Sequence, residues 1–344
     1  MADIKEIYYT ICPVGNASYI AANHGFLKRG LEKFQVEPVR LQTLPQEKWA
    51  AHFNYRNDRL FREGGNIPPL WAKSGGAEVI LIGLNLLRQR LAIIARADSK
   101  IEYPYQLRYA RIGIPVHPNA LIDFHKATAE EAFELALAAQ GISAEDASFV
   151  ELTDENDFLV NRDGKKDFTN LEAVEIEALD RNEIDVAFVK LSKLQKLLET
   201  GKYKIVYELS ADRSQFAPVN NEYPNTLTVS RYLAETRPEI VVEYVKQLLL
   251  AAEWAADNKA EAEKLLAVQT YGTVGQYQGS FDPDFHKHLQ VNLSEESLIT
   301  LESQARFLYD HGYLSQQVDV YSWADDYFLK TAVREIETER LNSK

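Results

Sequence analysis

The chain opens on IKEIYYTICPVGNA, residues 4–17, which reads as a strand running into a polar turn. Ile4, Ile7, Tyr9 and Ile11 alternate with polar positions, the period-two pattern of a half-buried strand. Pro13 cannot continue a hydrogen-bonded ladder, and Gly15-Asn16 supplies turn chemistry. From Ser18 to Leu31 the apolar spacing becomes helical, through Ile20, Phe26, Leu27 and Leu31. Residues 34–41, FQVEPVRL, then read as a second strand. A strand, a helix and a strand in this order predict a parallel pairing, with ligand chemistry beyond the carboxyl ends of the strands. Cys12 stands at such an end.

The same alternation continues outward. Residues 42–76 mix Trp49, His52, Phe53, Tyr55, Phe61 and Trp71 with Gly64, Gly65, Pro68, Pro69, Gly75 and Gly76. They are expected to form a structured loop with short helices. Strands follow at 78–86 and 90–96, and a boundary is expected near Asp98-Ser99. The strand Ala110–Pro115 begins a second unit and runs into His117-Pro118-Asn119, then a helix to about Gln140 that Gly141 ends. A strand at 147–152 precedes a polar stretch, 153–170, expected as a flap or surface loop. A helix at 171–182 and strands at 184–189 and 204–209 come next, and 220–226 read as the return to the first unit. Strand 227–230 then feeds helices at about 231–235, 237–257, 259–268, 282–289, 294–311 and 321–336. The expectation is an α/β protein of two lobes, each a mainly parallel sheet flanked by helices, with a cleft between them. Lobe one comprises residues 1–98 and 224–344, and lobe two, 99–223, is inserted and closes over the ligand.

At 344 residues, 46% of them hydrophobic, the chain is long for a single core. A net charge of −13 disfavours nucleic acid and anionic lipid as partners, although a local arginine can still hold a small anion. No apolar run is long enough to span a bilayer, and no basic region followed by an apolar one opens the sequence, so a cytoplasmic protein is expected. A single cysteine forms no internal disulfide and no cysteine-rich zinc site. HExxH, P-loop, GxGxxG and GxSxG patterns are absent.

By position alone Cys12 fits two roles, a small buried apolar residue or a functional thiol. His52 and Arg62 read equally as ordinary loop residues until the next stretch, Gly64-Gly65-Asn66-Ile67-Pro68-Pro69, is added. Two glycines allow a backbone turn whose N–H groups face an anion, and an arginine beside it makes an oxyanion receptor. His117 lies in a lobe-two loop suited to closing over a ligand. His125 is expected at the surface of its helix. His286 and His288 do not share a helical face and make a poor metal pair.

Taken together, Ile11–Ala17, Gly25-Phe26-Leu27, Ala51–Tyr55 and Arg62–Leu70 resemble the aryl sulfinate desulfinases. Arg111-Ile112-Gly113 and Gly272–Gln276 extend the resemblance along most of the chain. The resemblance implies a periplasmic-binding-protein-like type II fold, shared with sulfonate and pyrimidine-precursor binding proteins. It implies Cys12 as nucleophile or proton donor, His52 as the essential histidine, and Arg62 with the Gly65 N–H as the sulfinate grip. It also implies a small anionic sulfur-containing substrate; the chemistry expected of it requires no cofactor or metal, and a monomer is the expectation for the chain. Two departures bear on the substrate: Gly15 stands where the family carries proline, and 186–193 lack the family's tryptophans.

The expected reaction is hydrolytic cleavage of an aryl or related C–S bond with release of sulfite. A thiol that donates a proton and a thiolate that attacks sulfur require opposite protonation states, and both routes stay open. The competing expectation is a non-catalytic binding protein for a sulfonate, a sulfinate or a thiamine-precursor-like anion.

Overall fold

The computed structural model describes residues 4–155, 173–211 and 220–343. Ten strands appear in chain order: β1 (Glu6–Ile11), β2 (Glu37–Arg40), β3 (Leu60–Gly64), β4 (Val79–Asn85), β5 (Leu91–Arg96), β6 (Arg111–Val116), β7 (Ser148–Thr153), β8 (Ala187–Lys190), β9 (Tyr203–Glu208) and β10 (Asn225–Ser230). They fall into two units. The first draws on Met1–Leu87, Asn221–Thr270 and Asp284–Lys344, the second on Arg88–Asn220 and Tyr271–Pro283.

The first unit holds a five-stranded sheet in the order β2-β1-β3-β10-β4. β1 pairs in parallel with β2 and β3, whereas β10 runs antiparallel to both β3 and β4. The sheet is therefore mixed, which follows from the chain route: β4 leads out of the unit and β10, its neighbour, leads back in. Helices cover it; Pro238–Asp257 buries Ile240, Val241, Tyr244 and Leu248, and Tyr244 stacks flat on Phe61 of β3.

β3 is the largest departure from the sequence reading, which expected a loop with short helices over 42–76. Short helices are there, Ala51–Asn54 and Ile67–Ser74, but LFREG between them is a central strand with every residue buried. Two adjacent charged residues hide its apolar alternation. The helix expected over 18–31 is two helices, Ala17–Asn23 and Phe26–Leu31, because Gly25 adopts φ 78°. Likewise 282–289 contains only a single turn at Phe285–Lys287. The helix expected at 321–336 is split into Val320–Trp323 and Tyr327–Asn342, because Ala324 pairs with Leu81 in an isolated parallel bridge and the Asp325 N–H donates to the Leu81 carbonyl instead of continuing the helix.

The second unit has β5 between β8 and β9, antiparallel to both, and β6 parallel to β7. Gly113 N–H donates to the Val186 carbonyl at 3.1 Å, tying β6 to the segment that enters β8. Both faces of this sheet are covered. Leu91, Ile93 and Phe188 join a core with Ile112 and Phe133, while Ala92, Ile94, Ala187 and Val189 join another with Leu179 and Leu194. Period-two side-chain alternation explains the division. The polar stretch expected as a flap at 153–170 lies, from 156 onward, outside the described residues. Among the described residues no helix is long and apolar enough to cross a membrane.

Candidate functional site

The site in the first unit is built from strand register. Thr10 of β1 stands opposite Arg62 of β3, and Arg62 stands opposite Thr228 of β10. Residues in one row across a sheet point to the same face, so all three share it. Cys12 lies two residues beyond Thr10 and keeps its direction. Its N–H donates to the Glu63 carbonyl at 2.9 Å, which extends the β1–β3 ladder to the cysteine.

Above this face sits the short helix Ala51–Asn54, which carries His52. Tyr55 ends it in the left-handed region, φ 56°, and its hydroxyl meets Thr228 Oγ1 at 2.7 Å. His52 is 8% exposed and Arg62 1% exposed, whereas Cys12 is half-buried. Cys12 Sγ lies 3.5 Å from His52 Nε2 and 3.5 Å from Arg62 Nη2, and those two nitrogens are 3.5 Å apart. A thiol, an imidazole and a guanidinium thus form a small triangle at the end of a strand.

Arg62 is fixed on its other sides. Its Nε donates to the His52 carbonyl at 3.0 Å and its Nη1 to the Gly65 carbonyl at 2.7 Å, leaving Nη2 as the nitrogen turned to sulfur. Gly65 thus meets Arg62 through its carbonyl. These bonds hold a buried charge that would otherwise be costly. Burial, with the Arg62 charge beside it, holds His52 well below the usual histidine range. At neutral pH the ring is uncharged.

Two glycines give the site its room. A Cβ on Gly64 would lie 2.1 Å from Cys12 Sγ, and a Cβ on Gly65 would lie 2.4 Å from Asn221 Nδ2. Asn221 in turn accepts from the Ile67 N–H at 3.0 Å, holding the start of the helix Ile67–Ser74.

The arrangement joins Cys12, His52, Arg62, Gly64 and Gly65 in one unit. His117 belongs to the second, where its Nδ1 lies 2.9 Å from Asp123 Oδ1 at the head of the helix Phe124–Ala139. His125 is not at the surface as expected: it is 2% exposed, with Nε2 3.3 Å from Glu175 Oε1. Among the described residues no group of three or more His, Cys, Asp or Glu side chains is placed to hold a metal.

A thiol between an uncharged imidazole and a guanidinium suits chemistry on a small anion. The chain is similar to 2'-hydroxybiphenyl-2-sulfinate desulfinase. Desulfinases of that name from Rhodococcus erythropolis and Rhodococcus qingshengii are each 24% identical over 94% of this chain and 93% of their own length. No family model matches the chain. Among solved structures, a cysteine-to-serine mutant of the desulfurization enzyme DSZB in complex with biphenyl-2-sulfinic acid aligns with a TM-score of 0.79 at 23% identity, covering 96% of this chain and all of that one. The alkanesulfonate-binding protein SsuA from Xanthomonas axonopodis pv. citri, bound to MOPS, aligns at 0.66 and 14% identity over 94% of this chain and 99% of its own. The chain thus has the periplasmic-binding-protein-like α/β fold that the sequence led us to expect.

Beside the residues singled out from the sequence, Thr10, Gln42 and Tyr55 complete the site's hydrogen bonding. The spacing Thr10-x-Cys12 in a strand was a usable signal for the first, since it puts both on one face. Nothing in the sequence points to Gln42.

Proposed function

We propose that the chain is a sulfinate desulfinase that cleaves the C–S bond of an aryl or related sulfinate and releases sulfite. The observation that carries this reading is the 3.5 Å approach of Cys12 Sγ to both His52 Nε2 and Arg62 Nη2. The similarity to the Rhodococcus desulfinases over nearly the whole chain supports it. In this reading Arg62 receives the sulfinate oxygens through Nη2.

In one route the Cys12 thiol gives its proton to the ring carbon. The C–S electron pair becomes the new C–H bond, and sulfur leaves as SO2, which water converts to bisulfite. Water then restores the thiol, with His52 steadying the thiolate. In the other route the thiolate attacks sulfur, the aryl group leaves with the C–S pair and takes a proton, and water hydrolyses the S–S bond to return Cys12 and bisulfite. Neither route calls for a cofactor. We further propose that His117 in the second unit contributes to substrate binding, and that the protein works as a cytoplasmic monomer.

The test is sulfite release from a panel of aryl and alkyl sulfinates. Cys12→Ser should abolish release while substrate still binds, and Arg62→Ala should chiefly weaken binding. Undiminished turnover in Cys12→Ser would sink the assignment. The likeness to SsuA favours the second reading, a binding protein without chemistry. That reading gains if the wild-type protein binds sulfonates and sulfinates tightly and releases no sulfite from any of them.

A further inference from the structure

Thr10 is fully buried, and its hydroxyl has two polar neighbours. Gln42 Nε2 donates to Thr10 Oγ1 at 2.7 Å, and Thr10 Oγ1 lies 2.8 Å from His52 Nδ1. A threonine hydroxyl carries one hydrogen. Because Oγ1 already accepts from Gln42, that hydrogen is directed at Nδ1, and no buried hydroxyl hydrogen is left without an acceptor. Nδ1 then accepts, and a neutral ring must carry its hydrogen on Nε2.

The opposite chain would run from His52 Nδ1–H to Thr10 and on to Gln42 Oε1, with the amide turned over. As placed, Gln42 Oε1 is buried without a partner. The reversed amide would instead leave a buried N–H unpaired, and orphaned N–H groups are the rarer fault. That direction also brings two donors onto sulfur, since Arg62 Nη2 and His52 Nε2 are equally distant from Cys12 Sγ, and it makes the 3.5 Å approach of Nη2 to Nε2 a contact between two donors that share the sulfur.

We infer that Thr10 and Gln42 are positioning residues that hold His52 as its Nε2–H tautomer, so that His52 is a hydrogen-bond donor to the Cys12 sulfur and not the base that removes its proton. The inference deepens the desulfinase reading and rests on it for its catalytic meaning. His52 and Arg62 together stabilise the thiolate, whether it arises after Cys12 has protonated the ring carbon or before it attacks sulfur. Burial keeps the ring uncharged, which makes the choice of tautomer the feature that sets its role.

The experiment uses the full chain with nitrogen-15 histidine, the His52 signals being assigned by their loss in His52→Gln. In wild type and in Thr10→Ser, Nδ1 should resonate as an unprotonated nitrogen and Nε2 as a protonated one. In Thr10→Val that preference should disappear, and kcat for sulfite release should fall roughly tenfold with little change in KM. If Thr10→Val does not fold, Gln42→Leu gives the same readouts. An unprotonated Nε2 in the wild-type protein overturns the inference, as does a Thr10→Val protein with the wild-type tautomer and kcat. If wild type releases no sulfite from any sulfinate, the desulfinase reading fails, while the spectra still decide the tautomer.

Discussion

His52 of the first unit and His125 of the second are both buried, and both are held well below the ordinary histidine range. Their surroundings differ. Burial and then the Arg62 charge lower His52; burial and then the charges of His117, Lys190 and Lys193 lower His125. His125 faces Glu175, a carboxylate buried as deeply as itself, in a helix-to-helix contact. His52 faces a half-buried thiol, an arginine and a hydroxyl. A depressed histidine therefore marks burial. Its meaning comes from whether a reactive atom lies within reach of the ring, and among the described residues only His52 has one.

The sharpest way to break that contrast is to remove each ring in turn. His52→Ala should lower sulfite release by on the order of a hundredfold or more, with modest loss of stability. His125→Ala should leave turnover within about threefold. It should instead cost about 2–3 kcal/mol of stability, since it opens a cavity and takes the histidine from Glu175. Paired sulfite assays and urea melts read both effects. Equal losses of turnover from two equally stable variants would show that the two environments are not functionally distinct.

A second pair compares glycines. A Cβ at Gly64 would meet Cys12 Sγ at 2.1 Å and Cys12 Cβ at 2.5 Å. Gly64→Ala should displace the thiol, reduce turnover more than tenfold and cost roughly 3 kcal/mol. Gly141 ends the helix Phe124–Ala139 with φ +65°, and a Cβ there meets nothing within 4 Å. Gly141→Ala should cost about 1 kcal/mol of backbone strain and leave turnover unchanged. Loss of turnover in the Gly141 variant would mean that the second unit's helix end matters to the reaction in a way its open surroundings do not suggest.

These residues also show where the sequence could be read and where it could not. Cys12 after a strand and Gly64-Gly65 after Arg62 were legible, because chain punctuation is local. β3 was not: its centre is Arg62-Glu63, and two adjacent ionisable residues look like a surface loop until the partners that hold the Arg62 charge and the burial of Glu63 are seen. The break at Gly25 was a local signal overridden by the apolar spacing on either side. The antiparallel entry of β10 depends on the chain's return from residue 220, which alternation of strands and helices does not encode. Gln42 was beyond reach for the same reason, since its bond to Thr10 spans 32 residues and depends on tertiary placement.

Glu63 supplies the mildest test, on the face opposite Arg62. Its Oε2 accepts from the Ser18 N–H at 3.0 Å at the start of the helix Ala17–Asn23, while Oε1 is buried without a partner. Burial outweighs the Ser18 bond and pushes its carboxyl up from 4.5 to about 7. The folded chain therefore keeps this proton through a range where the unfolded chain has released it. The stabilisation is complete below the unfolded value and is lost as pH rises through the folded one, a decline of roughly 2 kcal/mol between about pH 5 and pH 7. His52 acts with the opposite sign: its folded value is depressed, so its contribution is present above the unfolded histidine value and is lost as pH falls. In wild type the two slopes partly cancel. Glu63→Gln keeps an acceptor for the Ser18 N–H and removes the titration, so its urea-melt stability should rise more steeply with pH than wild type across that window. An unchanged slope would mean that Glu63 is ionised in the folded protein throughout. The start of the helix Ala17–Asn23 would then be balancing a full negative charge one strand position from the Arg62 that faces Cys12.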